Sequence, residues 1–267
     1  MGKVWWIASF ACLACTPACA FWELSDWSDG AGSDAGDASD GLPGSAPNLD
    51  ASPGPDATPF ARDTFSRELA NGLGSAEIGG TWTLSTNALV YAVQDGGARF
   101  TVGAAKSIES YLLDVSALDV DITASFSTSK APNGNGLASS LVARMATTGE
   151  YYVFAVRVTG STGSVASLKL RDGTELVSAN ALQISNLPGK IIQMRMQASG
   201  SAPTHLRGRA WMGGTAEPST WDVTIDDSSP RLQAAGAVGL VAYVSGAATN
   251  APVVTTFDDF VALPVAP

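Results

Sequence analysis

The chain has 267 residues, a formal net charge of -10, 28 glycines, 45% hydrophobic residues and only 15% charged ones. So much Gly, with abundant Ala, Ser, Thr and Val, favours many short strands and turns over helices, and the length allows one large β domain or two small ones. The charge is uneven: residues 1–61 hold Glu23 and seven aspartates against Lys3, while the remainder holds 17 acidic and 14 basic residues. That remainder has no basic stripe of the density that a nucleic-acid partner needs, so none is expected.

At the N-terminus, Lys3 precedes the apolar run Val4 to Ala14, which reads as a secretory signal over residues 1–20. Two endings fit it. Ala18-Cys19-Ala20 has the small-x-small pattern of ordinary cleavage, whereas Leu13-Ala14-Cys15 resembles a bacterial lipobox that would make Cys15 the lipid-modified first residue. The lipobox departs from its pattern at Cys12, where a Leu is usual. The lipoprotein ending is preferred because an acidic tether follows at once; an uncleaved anchor is a third option. Cys12 and Cys15 have redox spacing but lack the βαβ context that such a pair requires. With Cys19 they are the only cysteines, so the rest of the chain has no disulfide and no thiolate chemistry.

Residues 21–61 are rich in Gly, Ser, Ala, Asp and Pro and have no apolar periodicity. Such a segment buries too little apolar surface to offset its ordering entropy, so a disordered linker is expected, extended by its spaced aspartates. Those aspartates lack the ordered ladder ending in Glu that makes a calcium loop.

Beyond the linker, residues 62–267 alternate between short apolar runs and turn residues. Strands are predicted at 81–85, 89–93, 98–102, 110–113, 120–127, 137–145, 151–158, 167–170, 191–197, 206–212, 221–225, 236–244 and 253–263, with turns such as Asp95-Gly96-Gly97 and Asp172-Gly173 between them. Alternation assigns faces. Met194 and Met196 point one way, Gln193, Arg195 and Gln197 the other. Arg207, Arg209 and Trp211 share a face. Tyr152, Phe154, Val156 and Val158 look inward, leaving Tyr151 and Arg157 opposite, and Lys169 lies between two leucines. If these four strands form a meander, one face carries all nine polar and aromatic residues named here.

Several segments carry a family resemblance. Arg62-Asp63-Thr64-Phe65-Ser66-Arg67, Gly79-Gly80-Thr81-Trp82-Thr83, the run from Ala117 to Ala124, the run from Arg209 to Trp221 and the ending Phe257-Asp258-Asp259-Phe260-Val261 resemble concanavalin A-like (laminin-G-like) domains of bacterial secreted proteins. The resemblance implies an all-β, two-sheet antiparallel jelly-roll sandwich behind the signal segment and linker. That fold hosts lectins, glycosidases, lyases and spacers, so it implies no single function. It also implies a structural calcium ion, with Asp259 in the matching place and Asp63 or the Asp95–Gly97 turn as partners.

Catalytic signatures are weak. Related glucanases set paired glutamates on one strand as Glu-x-Asp-x-x-Glu, whereas the nearest strand here offers only Asp119 and Asp121. His205 is the only histidine and has no nucleophile elbow beside it. Binding is the better expectation. Aromatic rings stack on sugars while fixed Arg and Gln bond the hydroxyls. Tyr151, Arg157, Gln193, Arg195, Arg207, Arg209 and Trp211 are therefore the candidate carbohydrate-binding residues, and their cations favour an anionic glycan. Trp82 and Trp221 are expected to be core or edge-covering, and Tyr243 core. The expected function is a non-catalytic carbohydrate-binding or adhesive module, secreted or held at the outer membrane or cell surface by a lipid on Cys15. A structural envelope lipoprotein without a small ligand is the alternative, and a polysaccharide hydrolase or lyase the third.

Overall fold

A computed structural model describes residues 57–131, 133–159, 164–182 and 188–266. The signal segment, Cys15 and nearly all of the linker lie outside them.

The described residues form two antiparallel sheets. The first contains β1 (Ala61–Asp63), β3 (Tyr91–Gln94), β4 (Gly97–Val102), β6 (Val120–Thr128), β11 (Ile192–Ser199), β12 (Thr204–Met212), β13 (Val223–Asp227) and β15 (Val253–Pro264). Its order is β13-β12-β11-β6-β15-β4-β3. β1 and β4 occupy successive stretches of one edge of β15, with Asp63 opposite Phe260 and Ala98 opposite Phe257. β15 bulges between them at Asp258 and Asp259, and Asp259 takes a positive φ of 51°. The second sheet contains β2 (Trp82–Leu84), β5 (Lys106–Ala117), β7 (Leu137–Met145), β8 (Tyr152–Val158), β9 (Ser164–Leu170), β10 (Glu175–Leu182) and β14 (Gly236–Val244), in the order β10-β9-β8-β7-β14-β5-β2.

Alternation drives the sandwich. Tyr152, Phe154, Val156 and Val158 of β8 face Met194, Met196 and Ala198 of β11 and their neighbours across one continuous core. An aromatic chain runs through it, with Phe100 edge-on to both Tyr91 and Phe257 and Trp82 edge-on to Phe260. Each fully buried Phe of this kind stabilises by about 1.5–3 kcal/mol. Gly208 of β12 is required by close approach, because a Cβ there would overlap the Phe154 ring from the other sheet.

Every predicted strand is present. Two were not predicted: β1, which is three residues long, and β10, whose Glu-Leu-Val-Ser-Ala-Asn-Ala-Leu sequence lacks alternation. The four-strand meander is corrected. β8 and β9 pair in the seven-stranded sheet, while β11 and β12 pair in the other. β10 closes the first pair before the chain crosses between sheets, so the nine residues expected on one face are divided between two.

Candidate functional site

The outer face of the eight-stranded sheet carries Gln193, Arg195, Gln197, Arg207, Arg209 and Trp211, as alternation requires. Arg195 lies opposite Arg209 across the β11–β12 pair and opposite Thr123 on β6. Their charges are used internally. Arg195 Nε donates to Asp121 Oδ1 at 2.9 Å, its NH1 donates to Glu217 Oε1 at 2.9 Å, and Gln197 Nε2 donates to Asp121 Oδ2 at 2.7 Å. Arg209 Nε donates to the same Glu217 oxygen at 2.7 Å, and Arg207 Nε donates to Gln197 Oε1 at 2.7 Å. Burial opposes the charge of Arg195, but its bonds to Asp121 and the carboxylates of Asp121 and Glu217 outweigh that and hold it above the ordinary arginine value.

A cover closes this cluster. The Trp221 ring lies under the guanidiniums of Arg207, Arg209 and Arg195, at 4.4, 4.2 and 5.7 Å from its centroid. Arg209 NH1 donates to the Pro218 carbonyl at 2.6 Å. The segment from Glu217 to Trp221 thus folds over the arginines, and Asp121, Arg195, Gln197 and Arg209 are buried. Buried cations already paired with carboxylates and stacked on an indole are poorly placed to receive a ligand. Trp211, half-buried opposite Gln193, takes no part in this cover.

Tyr151 and Arg157 stand on the outer face of the seven-stranded sheet, with Lys169. Its register is a grid. One row reads Glu109, Val241, Ser140, Ala155, Ser167, Ser178; the next reads Tyr111, Gly239, Val142, Val153, Lys169, Glu175. No further sheet packs over this face among the described residues. Ser140, Val142, Ala155, Ser167, Lys169 and Val241 of this face are all buried. Within one row, Ser140, Ala155 and Ser167 are small.

At one end, Tyr111 and Tyr151 lean together, their centroids 5.8 Å apart. Gly239 admits the Tyr111 ring, which a Cβ there would strike. Both phenols donate to Glu109 Oε2, Tyr151 at 3.1 Å, and the Arg171 guanidinium lies 5.8 Å from the Tyr151 centroid. Burial, then the neighbouring Glu109 charge, pushes the Tyr151 phenol up; burial does the same to Tyr111. In the same row as Tyr111, on β9, Lys169 Nζ lies 3.3 Å from Glu175 Oε2. Burial pushes the Lys169 ammonium down to about 8; Glu175 opposes this and the nearby Arg157 charge adds to it. Between the two cations, Ser167 is fully buried and its Oγ has no hydrogen-bond partner among the described residues.

Of the residues expected at a calcium site, Asp63 is committed to other partners. Asp63 is fully buried and accepts from the Phe65 amide, from Arg67 NH1 and NH2 and from Trp82 Nε1, at 2.7 to 2.9 Å. That carboxylate anchors the start of the domain to β2. Asp259 is exposed on its bulge, and among the described residues no three His, Cys, Asp or Glu side chains group as metal ligands would. Asp119 and Asp121 are likewise committed, Asp119 to the Gly200 amide at 2.7 Å and Asp121 to Arg195. His205 pairs with Asp226 at 2.6 Å on the surface.

The chain matches no known family model and no curated protein. Solved structures do resemble it. The β-glucanase of Bacillus licheniformis superposes with a TM-score of 0.50 at 8% identity, covering 76% of this chain and 96% of its own. The potassium-bound carbohydrate recognition domain of Emp46p superposes with a TM-score of 0.50 at 9% identity, covering 70% and 89%. The fold is concanavalin A-like. At these identities the likeness extends to the fold and no further. Within that concanavalin A-like sandwich, sequence reasoning missed Glu109, Tyr111 and Ser167. The first two belong to β5, whose predicted start at 110 excluded Glu109; Ser167 follows from the alternation that singled out Lys169.

Proposed function

We propose that this protein is a non-catalytic carbohydrate-binding or adhesive module, and that its ligand face is the outer face of the seven-stranded sheet. The observation that carries the reading is a row of small buried side chains, Ser140, Ala155 and Ser167, on a face that also carries the Tyr111–Tyr151 pair, Lys169 and Arg157. A row without bulk leaves room for a flat sugar chain, and polar groups on the same face supply orientation. The eight-stranded sheet offers less, since its arginines are already paired and covered.

The two tyrosines support binding over catalysis. Phenols held above their ordinary value stay protonated near neutral pH and make poor general bases. The acids of β6 are tied to structural partners. Export with a lipid on Cys15 completes the proposal: the domain would stand off an outer membrane or cell surface on its acidic linker.

A glycan array probed with the purified chain tests this reading. Binding to at least one glycan class, lost in Ala155→Phe at unchanged melting temperature, is expected. Silence across neutral and acidic glycans with the fold intact overturns it and favours a structural envelope role.

A further inference from the structure

Three guanidinium nitrogens of two buried arginines converge on one oxygen of Glu217: Arg195 NH1 at 2.9 Å, Arg209 Nε at 2.7 Å and Arg209 NH2 at 2.5 Å. Three charged donors on one oxygen make a receptor for a carboxylate. The receptor belongs to the sheet, where Arg195 stands opposite Arg209, but the carboxylate in it comes from the loop after β12. That loop is held lightly. At its start the Thr215 amide and hydroxyl both donate to the Met212 carbonyl, at 3.2 and 2.7 Å, and at its end the Asp222 amide donates to the Gly208 carbonyl at 3.0 Å. Between these anchors, the hydrogen bonds of Ala216 to Thr220 among the described residues run only through the Glu217 carboxylate and the Pro218 carbonyl, and they go only to the two arginines. Ala216, Glu217, Ser219 and Thr220 are exposed, whereas Arg195 and Arg209 beneath them are buried. Gly214, in the turn, has a positive φ of 83° and open space where a Cβ would stand.

We propose that Ala216 to Thr220 form a displaceable strap, and that Glu217 is a tethered stand-in for the carboxylate of an external polyuronate. The site lies on the sheet opposite the proposed glycan face and does not rest on that reading. With the strap down it is closed. Departure of Glu217 alone would leave two buried guanidiniums short of an acid, which is strongly unfavourable. Replacement by another carboxylate restores the same bonds, so the newcomer has only the advantage of the tether to overcome. A short flexible tether gives its group an effective concentration on the order of millimolar. A polyuronate carries a carboxylate on each ring and keeps the next one close when the first leaves, so it can match that concentration where a lone dilute carboxylate cannot. An acidic peptide also carries many carboxylates, but each sits on a rotamer-rich side chain whose ordering weakens binding.

Titration calorimetry tests the strap on the full chain carrying Ala155→Phe, which blocks the proposed glycan face. The probes are tetragalacturonate, its methyl ester and tetraglutamate. Adding Glu217→Gln removes the tethered charge and keeps its shape. We expect this variant to bind tetragalacturonate at least tenfold more tightly than its parent does, and at least tenfold more tightly than it binds the methyl ester. Adding Arg209→Lys as well, which lacks the guanidinium fork, should abolish the gain. Melting temperatures check each fold. In the native chain, saturating tetragalacturonate should speed amide hydrogen exchange between Ala216 and Thr220, and the methyl ester should not; this readout holds even if a variant fails to fold. No gain with Glu217→Gln, a gain that survives Arg209→Lys, or unchanged exchange in the native chain overturns the strap. A gain for tetraglutamate as large as that for tetragalacturonate overturns the choice of a glycan as its ligand. The face of the seven-stranded sheet stands or falls separately, on the glycan array.

Discussion

Arg195 and Arg209 face each other across β11 and β12 and share one carboxylate oxygen of Glu217, at 2.9 and 2.7 Å. Two like charges in that position would repel if exposed side by side. Here the shared acid, the Asp121 carboxylate and the Trp221 ring turn the pair into a clamp that holds the segment from Glu217 to Trp221 against the sheet.

That clamp should matter for stability. Asp121→Ala leaves Arg195 buried without its main partner, a loss of about 3–5 kcal/mol for a broken buried pair. Trp221→Ala should cost about 1–3 kcal/mol through lost stacking and cover. Urea denaturation measures both, and Trp211→Ala, which lies outside the clamp, should change the midpoint least.

Arg144 is a second buried charge with a structural task. It is fully buried in β7 at a positive φ of 54°, and its guanidinium donates to the carbonyls of Leu118, Gly200 and Leu232 and to Thr204 Oγ1. One side chain thereby ties together four segments at the end of the sandwich. Lysine lacks the fork to reach them, so Arg144→Lys should cost nearly as much as Arg144→Ala, about 3 kcal/mol. A lysine variant as stable as the native protein would show that charge alone suffices.

Lys169 gives a pH signature. Its ordinary value is 10.5 and its folded value about 8, chiefly through burial, with Glu175 and Arg157 as the charged groups facing it. Between those values the unfolded chain holds more protons than the folded one, so stability rises with pH across that window; below it this contribution is flat. Lys169→Met should remove that rise and raise stability near pH 7 by about 1–3 kcal/mol. Chemical denaturation of both proteins from pH 7 to 10.5 measures the difference.

Much of this was legible in the residues. Alternation in β8, β11 and β12 placed each side chain on the correct face of its own strand, and the turn at Asp95-Gly96-Gly97 does join β3 to β4. Sheet membership was not legible. Alternation is a property of one strand, whereas pairing depends on partners far away in sequence: β11 pairs with β6, 76 residues earlier by the Gln197–Asp121 register, and not with β9. For the same reason Arg195 could be seen as an outward cation but not as the partner of Asp121. Glu217, in a loop after β12, carried no periodic signal at all. Asp63 was expected as a partner to Asp259 at a calcium site, but its donors, Arg67 and Trp82, came into view only with the fold.

The central claim is that ligand binds the seven-stranded sheet and not the arginine face. Two variants compared on one glycan array test it most directly, each checked for native melting: Ala155→Phe, which adds a bulky ring among the small side chains of that face, and Trp211→Ala, which removes the half-buried ring of the opposite sheet. We expect Ala155→Phe to abolish binding and Trp211→Ala to leave it within about twofold, a difference under about 0.5 kcal/mol. Binding that survives Ala155→Phe and is lost in Trp211→Ala would contradict the assignment and return the ligand to the face of Arg207, Arg209 and Trp211.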